Sequence, residues 1–319
     1  MRTGLARCTA SRDAAASGPA VARATRSGSL PWSLIGLDQA AAEADPCADL
    51  GHDRPRWARL QSRLLGGGDH LAPDRELADA LAAVDAPARA LARAGRTFVI
   101  SRAAELARQG VGQFLVLGCG YPAPFLDAVH DVVLPHQPAA VVVYADADVS
   151  VMAHARALLT APPPAVIRYL RLDLAAPAAI ASALANLPVL DMDRPVALML
   201  ADGLQQLSDD QAHRTVALLH DLVSAGSTLT FSHPTLDSSD AHVGQELERA
   251  YGSAGIPFHP RTRAGLAALL GDWQLHGSGI TELELLPPAH TGPATSSRYG
   301  VSARKSLYTA AESADGGPR

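Results

Sequence analysis

Apolar residues along the chain change their period partway. From about Pro55 to Gln109 they recur at helical spacing: Leu60, Leu64 and Leu65 before the Gly66-Gly67-Gly68 stop, then Leu77, Leu81 and Val84, then Leu91, Phe98, Val99 and Leu106. Positions three and four apart share a helix face, so this stretch predicts amphipathic helices, with Asp74 placed to cap the second. After Gly110 and Gly112 the apolar positions become contiguous and short. Phe114–Leu117, Val141–Tyr144, Val166–Leu172, Val196–Leu200 and Ser227–Phe231 read as strands. Helical stretches over Val149–Leu159, Pro177–Asn186 and Asp209–Val223 separate the later ones. Strands apolar on both faces and alternating with helices predict a parallel sheet covered on both sides. The alternation stops near the end. Glu282–Leu286 and Tyr299–Ala303 both read as strands, and Pro287, Pro288, Gly292 and Pro293 leave no room for a helix between them. Two strands without a crossover helix must pair antiparallel. The expected fold is α/β: a doubly wound, mainly parallel seven-stranded sheet that ends in an antiparallel hairpin, with an N-terminal helical cap.

Composition narrows the class. The chain has 319 residues, 48% of them hydrophobic, which suffices for one large core. A net charge of −5 gives no basic field for nucleic acid. No apolar run approaches the roughly 18 residues that would span a bilayer. The cysteines, Cys8, Cys47 and Cys119, are too few and too scattered for a disulfide framework or a metal cluster. Twelve histidines include no H-E-x-x-H pattern. No metal is expected, and a reducing cytoplasm is the simplest home. Nothing in the sequence sets the oligomeric state. Residues 1–52 carry Arg2, Arg7, Arg12, Arg23 and Arg26 among Ala, Ser, Gly and Thr. Such a stretch resembles an organelle transit peptide, but an unfolded tail or an early start codon is the plainer reading. The expected layout is this tail, a helical cap at 53–110, a Rossmann-like domain at 111–306, and a second loose tail at 307–319.

Candidate chemistry lies where the strands end. The first strand runs into Gly118-Cys119-Gly120-Tyr121-Pro122-Ala123, at the switch-point crevice of such folds. Two glycines there let a ligand approach the backbone, although a merely tight turn is the alternative. The spacing also satisfies a G-x-G-x-x-A dinucleotide fingerprint. Pro122 and Pro124 remove two amide donors that a pyrophosphate would use, which favours a ligand without phosphate. Asp146 ends the second strand and can accept both ribose hydroxyls of a nucleoside, with Ala147 beside it. Asp148 is the weaker choice, since it can cap the next helix. Asp173, followed by Leu174, could accept an adenine amine, or could serve only as a loop aspartate. Ala201 and Asp202 follow the fourth strand. Together these positions describe an adenosine-sized ligand lying across the strand ends. Cys119 reads as a buried, inert thiol. His233, just past the fifth strand, is a candidate general base, with a hydrogen-bonded loop histidine as the plainer alternative. No G-x-S-x-G elbow occurs.

The ordered motifs resemble a family. Leu64-Leu65-Gly66-Gly67-Gly68-Asp69-His70 with Ala72-Pro73-Asp74-Arg75-Glu76 resembles L-L-G-G-K-D-N…A-D-R-E. Arg93-Ala94-Gly95-Arg96-Thr97-Phe98 is similar to R-A-N-R-x-F, and Gln113 to Pro122 to Q-F-L-D-I-G-T-G-L-P. Tyr144-Ala145-Asp146-Ala147-Asp148 resembles Y-V-D-N-D, with His154 to Leu159 similar to H-A-R-A-L-L. Asp193 to Leu198 matches D-R-P-V-A-L, Ser232-His233 is similar to S-H-A-T, and Tyr299 to Lys305 to Y-x-G-V-A-R-K. These are motifs of the S-adenosyl methyltransferases common in high-GC soil bacteria, and the likeness runs from about Trp57 to Lys305. The resemblance implies a class I methyltransferase fold that binds S-adenosylmethionine through Gly118, Gly120, Asp146 and Asp173. A sheet ending in a hairpin agrees with that class by analogy of fold.

The departures from the pattern cluster near the expected pocket. The family's first-strand acid is Val116 here, and its loss should weaken cofactor binding. Gly68, His70 and Gly95 replace a Lys and two Asn, and Leu204-Gln205-Gln206 replaces L-H-F. The expected function is methyl transfer from S-adenosylmethionine to a small-molecule acceptor, with Ser238–Pro260 covering the acceptor and Tyr251, Phe258 and His259 lining it. The alternatives are a catalytically degenerate cofactor-binding or regulatory protein, which the departures favour, and an NAD-dependent oxidoreductase, which only the glycine spacing favours.

Overall fold

In the computed structural model, which describes residues 51–285 and 295–306, three helices precede the sheet: α1 (Trp57–Leu65), α2 (Ala72–Val84) and α3 (Ala88–Arg108). All described residues belong to one compact unit. The expected tails cover residues 1–52 and 307–319, of which 1–50 and 307–319 lie outside the described residues. Gly51, placed in the first tail by the sequence, is buried, and its carbonyl accepts a hydrogen bond from the Arg59 guanidinium at 2.7 Å. The folded part therefore includes residues ahead of position 53. Asp74 does not occupy the N-cap of α2, which is Leu71. It sits one turn in, fully buried, and accepts from the Leu71 and Arg56 N–H groups and from Arg59 Nε at 2.7 Å. One carboxylate thus ties α2 to the chain entering α1.

The sheet strands are β1 (Gln113–Leu117), β2 (Val141–Asp146), β3 (Val166–Arg171), β4 (Ala197–Leu200), β5 (Thr228–Thr235), β6 (Gln274–Glu282) and β7 (Ser297–Arg304). The intervening helices are α4 (Val129–Val133), α5 (Val149–Leu158), α6 (Pro177–Ala185), α7 (Asp209–Leu222), α8 (Ala241–Ser253) and α9 (Arg263–Leu270). Strand order is β3-β2-β1-β4-β5-β7-β6, with β7 alone antiparallel to its neighbours. Side chains alternate across a strand, so β1 serves two cores. Leu115 and Leu117 face one cluster, with α6, α7 and α9, while Phe114 and Val116 face the other, with α3, α4 and α5. Because chain order reverses between β1 and β4, the loops leaving these two strands border one crevice.

Two expectations change. The strand foreseen at Glu282–Leu286 lies earlier, at Gln274–Glu282, and Leu286 is outside the described residues. Its sequence hides it: the strand is a largely exposed edge, bulged between Leu275 and Ile280, with Gly277 and Gly279 at φ 60° and 64°. Strand β5 runs on past Phe231 to Thr235, because β7 pairs with it as far as Thr235↔Ser297. Helix α8 falls within the foreseen acceptor cover, and its Val243, Leu247 and Tyr251 pack with Leu60, Leu64, Leu77 and Leu81 of the cap. Among the described residues no helix is long and apolar enough to cross a membrane, and no group of three or more His, Cys, Asp or Glu could hold a metal ion.

Candidate cofactor site

The loop after β1 is shaped by its glycines. Gly118 and Gly120 have φ of 61° and 63°, the left-handed region that costs a side chain about 1–2 kcal/mol. A Cβ on Gly118 would lie 2.8 Å from the Asp202 carbonyl oxygen, so the turns after β1 and β4 meet without room for a methyl group. The turn is then bonded to its neighbours. Cys119 N–H donates to the Ala145 carbonyl at 3.0 Å. Gly120 N–H donates to Asp146 Oδ2 at 2.9 Å, and Asp148 N–H to Asp146 Oδ1 at 2.9 Å.

These turns wall a cavity of about 370 Å³, within the size range of small-molecule sites, about 300–1,000 Å³. Gly118, Gly120, Asp146, Ala147, Asp173, Leu174 and Asp202 all line it, so one space brings together seven positions foreseen for a ligand. Cys119 and Ala201 do not line it. Both face a second, largely apolar cavity of about 160 Å³ between the sheet and α3 and α4. Alternation along β4 carries Ala201 to that side with Ala197 and Met199, whereas the left-handed turn at Gly118 breaks the alternation of β1 and brings Cys119 to the side of Phe114 and Val116. The thiol of Cys119 is pushed up by burial and then by the Asp146 charge, so it stays protonated.

Each acid has a distinct environment. Burial raises the Asp146 carboxyl, and the two backbone N–H groups work against that shift. Each of its oxygens has one backbone donor, which leaves lone pairs for two further hydroxyls. Asp148 is the N-cap of α5 and accepts from Ser150 N–H at 2.8 Å, so its carboxylate serves the helix. Asp173 is exposed at the cavity edge, with one oxygen accepting from Ala175 N–H at 2.8 Å. Asp202 is buried and held within the protein: Oδ1 accepts from Arg298 Nη1 at 2.6 Å and from Gln205 Nε2 at 3.1 Å.

His233 is removed from the role of base. It lies inside β5, with no solvent exposure, and lines none of the cavities described here. Nδ1 is 2.9 Å from the Pro234 carbonyl and Nε2 is 2.9 Å from Arg261 Nη1, so the ring donates at one nitrogen and accepts at the other. Burial, with the Arg261 and Arg298 charges, pushes its pKa down to about 3. A neutral ring with both nitrogens engaged cannot take a proton from an acceptor. Longer β5 pairing than the sequence suggests is the reason.

The foreseen acceptor-lining residues divide. Tyr251 and Phe258 stack at 4.3 Å and line a small cavity of about 40 Å³ that shares Trp57 and Gln61 with the larger one. His259 is exposed and lines none of these spaces; its N–H donates to the Gln205 carbonyl. Sequence reasoning missed Arg96, Gln61 and the Arg54–Trp57 segment, all on the main cavity. Arg96 had a signal: with Ala92, Val99 and Ala103 it falls on the buried stripe of α3, where a charge is out of place.

Comparison with known proteins bears on this site. Residues 43–306 match the S-adenosyl methyltransferase family. A solved protein of the DUF574 family from Streptomyces avermitilis is 28% identical, with a TM-score of 0.71 over 80% of this chain and 98% of that one. A solved candidate methyltransferase from Thermobifida fusca is also 28% identical, with a TM-score of 0.68 over 81% of this chain and 98% of its own. No curated protein matches the chain. With a seven-stranded sheet ordered 3-2-1-4-5-7-6 and a glycine turn and acids around one cavity, this chain belongs to the S-adenosyl methyltransferase family, and its cofactor is S-adenosylmethionine.

Proposed function

We propose that this chain transfers the methyl group of S-adenosylmethionine to a small-molecule acceptor, and that the cofactor occupies the cavity between the β1 and β4 turns. The observation that carries the reading is Asp146, braced at the end of β2 with open lone pairs facing a cavity of about 370 Å³. Asp146 would take the ribose hydroxyls, Gly118 and Gly120 would let the amino-acid end approach the backbone, and Asp173 and Leu174 would border the adenine. The bound cofactor supplies a sulfonium methyl already activated toward nucleophiles.

The protein's own contribution is positioning and exclusion of water, which can supply much of the acceleration when the methyl donor needs no further activation. Trp57 and Gln61 stand on both the main cavity and the small one lined by Tyr251 and Phe258, so the acceptor would enter on the cap side. A second reading, binding without turnover, is favoured by one observation: His233 is sequestered, so the foreseen base is gone.

Calorimetric titration with S-adenosylmethionine, S-adenosylhomocysteine and NAD tests the cofactor assignment. Micromolar binding of the first two, lost in Asp146→Ala, is expected. Binding of NAD alone would overturn it. An acceptor screen with the loaded protein then separates turnover from binding, and formation of no methylated product across broad acceptors would favour the second reading.

A further inference from the structure

Arg96 is a half-buried cation without a carboxylate of its own. It projects from α3 into the wall shared by the main cavity and the apolar cavity behind the glycine turn. Nη1 donates to the Cys119 carbonyl at 2.8 Å, and Nη2 lies 3.2 Å from where a Cβ on Gly120 would stand. Nε is buried and has no partner. Among the described residues no carboxylate forms an ion pair with it, whereas Arg59, Arg261 and Arg298 each have one. Asp146 feels its charge, but its oxygens are bonded to backbone N–H groups.

Val116 offers Arg96 no partner. It is buried on the β1 face that looks into the apolar cavity, the same space that Arg96 lines. An acid at 116 would face that space and could neutralise the guanidinium. A valine cannot. A desolvated guanidinium is costly unless paired, and its planar fork suits a carboxylate. The cofactor carries one carboxylate, on its amino-acid end.

We propose that Arg96 receives the α-carboxylate of the cofactor, and that Val116 leaves it available for this. The inference rests on the cofactor reading above, and it reverses an expectation from the sequence. Loss of the first-strand acid does not weaken the site but hands the neutralisation of Arg96 to the ligand.

The test is calorimetry with two nucleosides, S-adenosylhomocysteine and 5′-methylthioadenosine, which lacks the amino-acid end. Wild type, Arg96→Met, Arg96→Lys and Val116→Asp are compared, each first shown to be folded by thermal melting. Arg96→Met should weaken S-adenosylhomocysteine by roughly 10- to 150-fold, the range for a hydrogen bond to a charged group, and leave 5′-methylthioadenosine within about twofold. Arg96→Lys should fall between wild type and Arg96→Met. Val116→Asp should also weaken S-adenosylhomocysteine selectively. Equal losses for both nucleosides in Arg96→Met would show that Arg96 only supports the turn, and tighter S-adenosylhomocysteine binding in Val116→Asp would restore the acid's expected role; either overturns the proposal while the cofactor reading stands. A wild type that binds neither nucleoside overturns both.

Discussion

The Asp202–Arg298 pair joins the loop after β4 to β7, and it offers a sharp energetic test. Its atoms are 2.6 Å apart, and the two side chains are 10% and 8% exposed. Arg298 Nη1 has one other partner, Ser232 Oγ at 3.2 Å, while Asp202 also accepts from Gln205. Asp202→Leu therefore leaves a buried guanidinium with one neutral hydroxyl, and such a loss costs about 3–5 kcal/mol. Arg298→Met should cost less, because Asp202 keeps its Gln205 donor. The double variant removes both charges together, and an apolar pair of similar volume is close to neutral in such sites. Urea unfolding of the four proteins at one pH gives the cycle. At about 2–4 °C per kcal/mol for a domain of this size, Asp202→Leu should melt about 6–20 °C lower. The double variant should recover most of that loss, with a coupling energy of at least about 1 kcal/mol. If the double variant costs the sum of the singles, the pair is not a coupled buried unit and the reasoning fails.

Other outcomes follow from the same geometry. His233 has a pKa of about 3 in the folded protein, against about 6.5 unfolded. Below the unfolded value the unfolded chain binds a proton that the folded chain refuses. This part of the stability is therefore full above about pH 6.5 and is lost as pH falls toward 3, at up to about 1.4 kcal/mol per pH unit. Urea midpoints between pH 7 and pH 5 should fall less steeply in His233→Gln than in wild type, and identical slopes would contradict the assignment. Gly95 stands where the family pattern has Asn, and a Cβ there would lie 2.6 Å from Ser232 Oγ and 2.8 Å from Arg298 Cδ. Gly95→Asn should therefore cost about 1–3 kcal/mol by overpacking, and a variant as stable as wild type in thermal melts would show that Arg298 moves freely. Gly118→Ala combines a left-handed φ with a 2.8 Å contact to the Asp202 carbonyl, so cofactor affinity in calorimetry should drop together with melting temperature.

Strands β1 to β5 and β7 were legible because buried parallel strands are contiguous apolar runs, and the helices between them keep their own period. The glycine turn, Asp146 and Asp173 were legible because a parallel sheet brings its strand ends to one edge, so position in the chain implies position in space. Strand β6 was not, since an exposed edge interrupted by Gly277 and Gly279 lacks both alternation and apolar content. The Val243, Leu247 and Tyr251 stripe of α8 is spaced for a helix, but its packing on the N-terminal cap is a contact across more than 150 residues that no local pattern encodes. His233 was misplaced for a related reason: how far β5 extends is set by β7, which passes Pro234 as well as His233. Arg96 and Arg298 come to the site from α3 and from the last strand, so neither follows from the strand-end rule.

The bonds around Asp146 carry a thermodynamic consequence. Because Gly120 and Asp148 each hold one of its oxygens, the carboxylate is fixed before any ligand arrives. Ordering a flexible side chain on association costs about 0.5–1.5 kcal/mol, and here folding has already met that cost. The Gly120 hydrogen bond also ties the turn after β1 to the end of β2, and the Asp148 one braces the β2 turn itself, so a nucleoside bound there would meet a rigid rim and not two independent loops. Recognition of the ribose should therefore carry little entropic penalty from the protein, and most of the ordering entropy seen in calorimetry should belong to the ligand and to the cap.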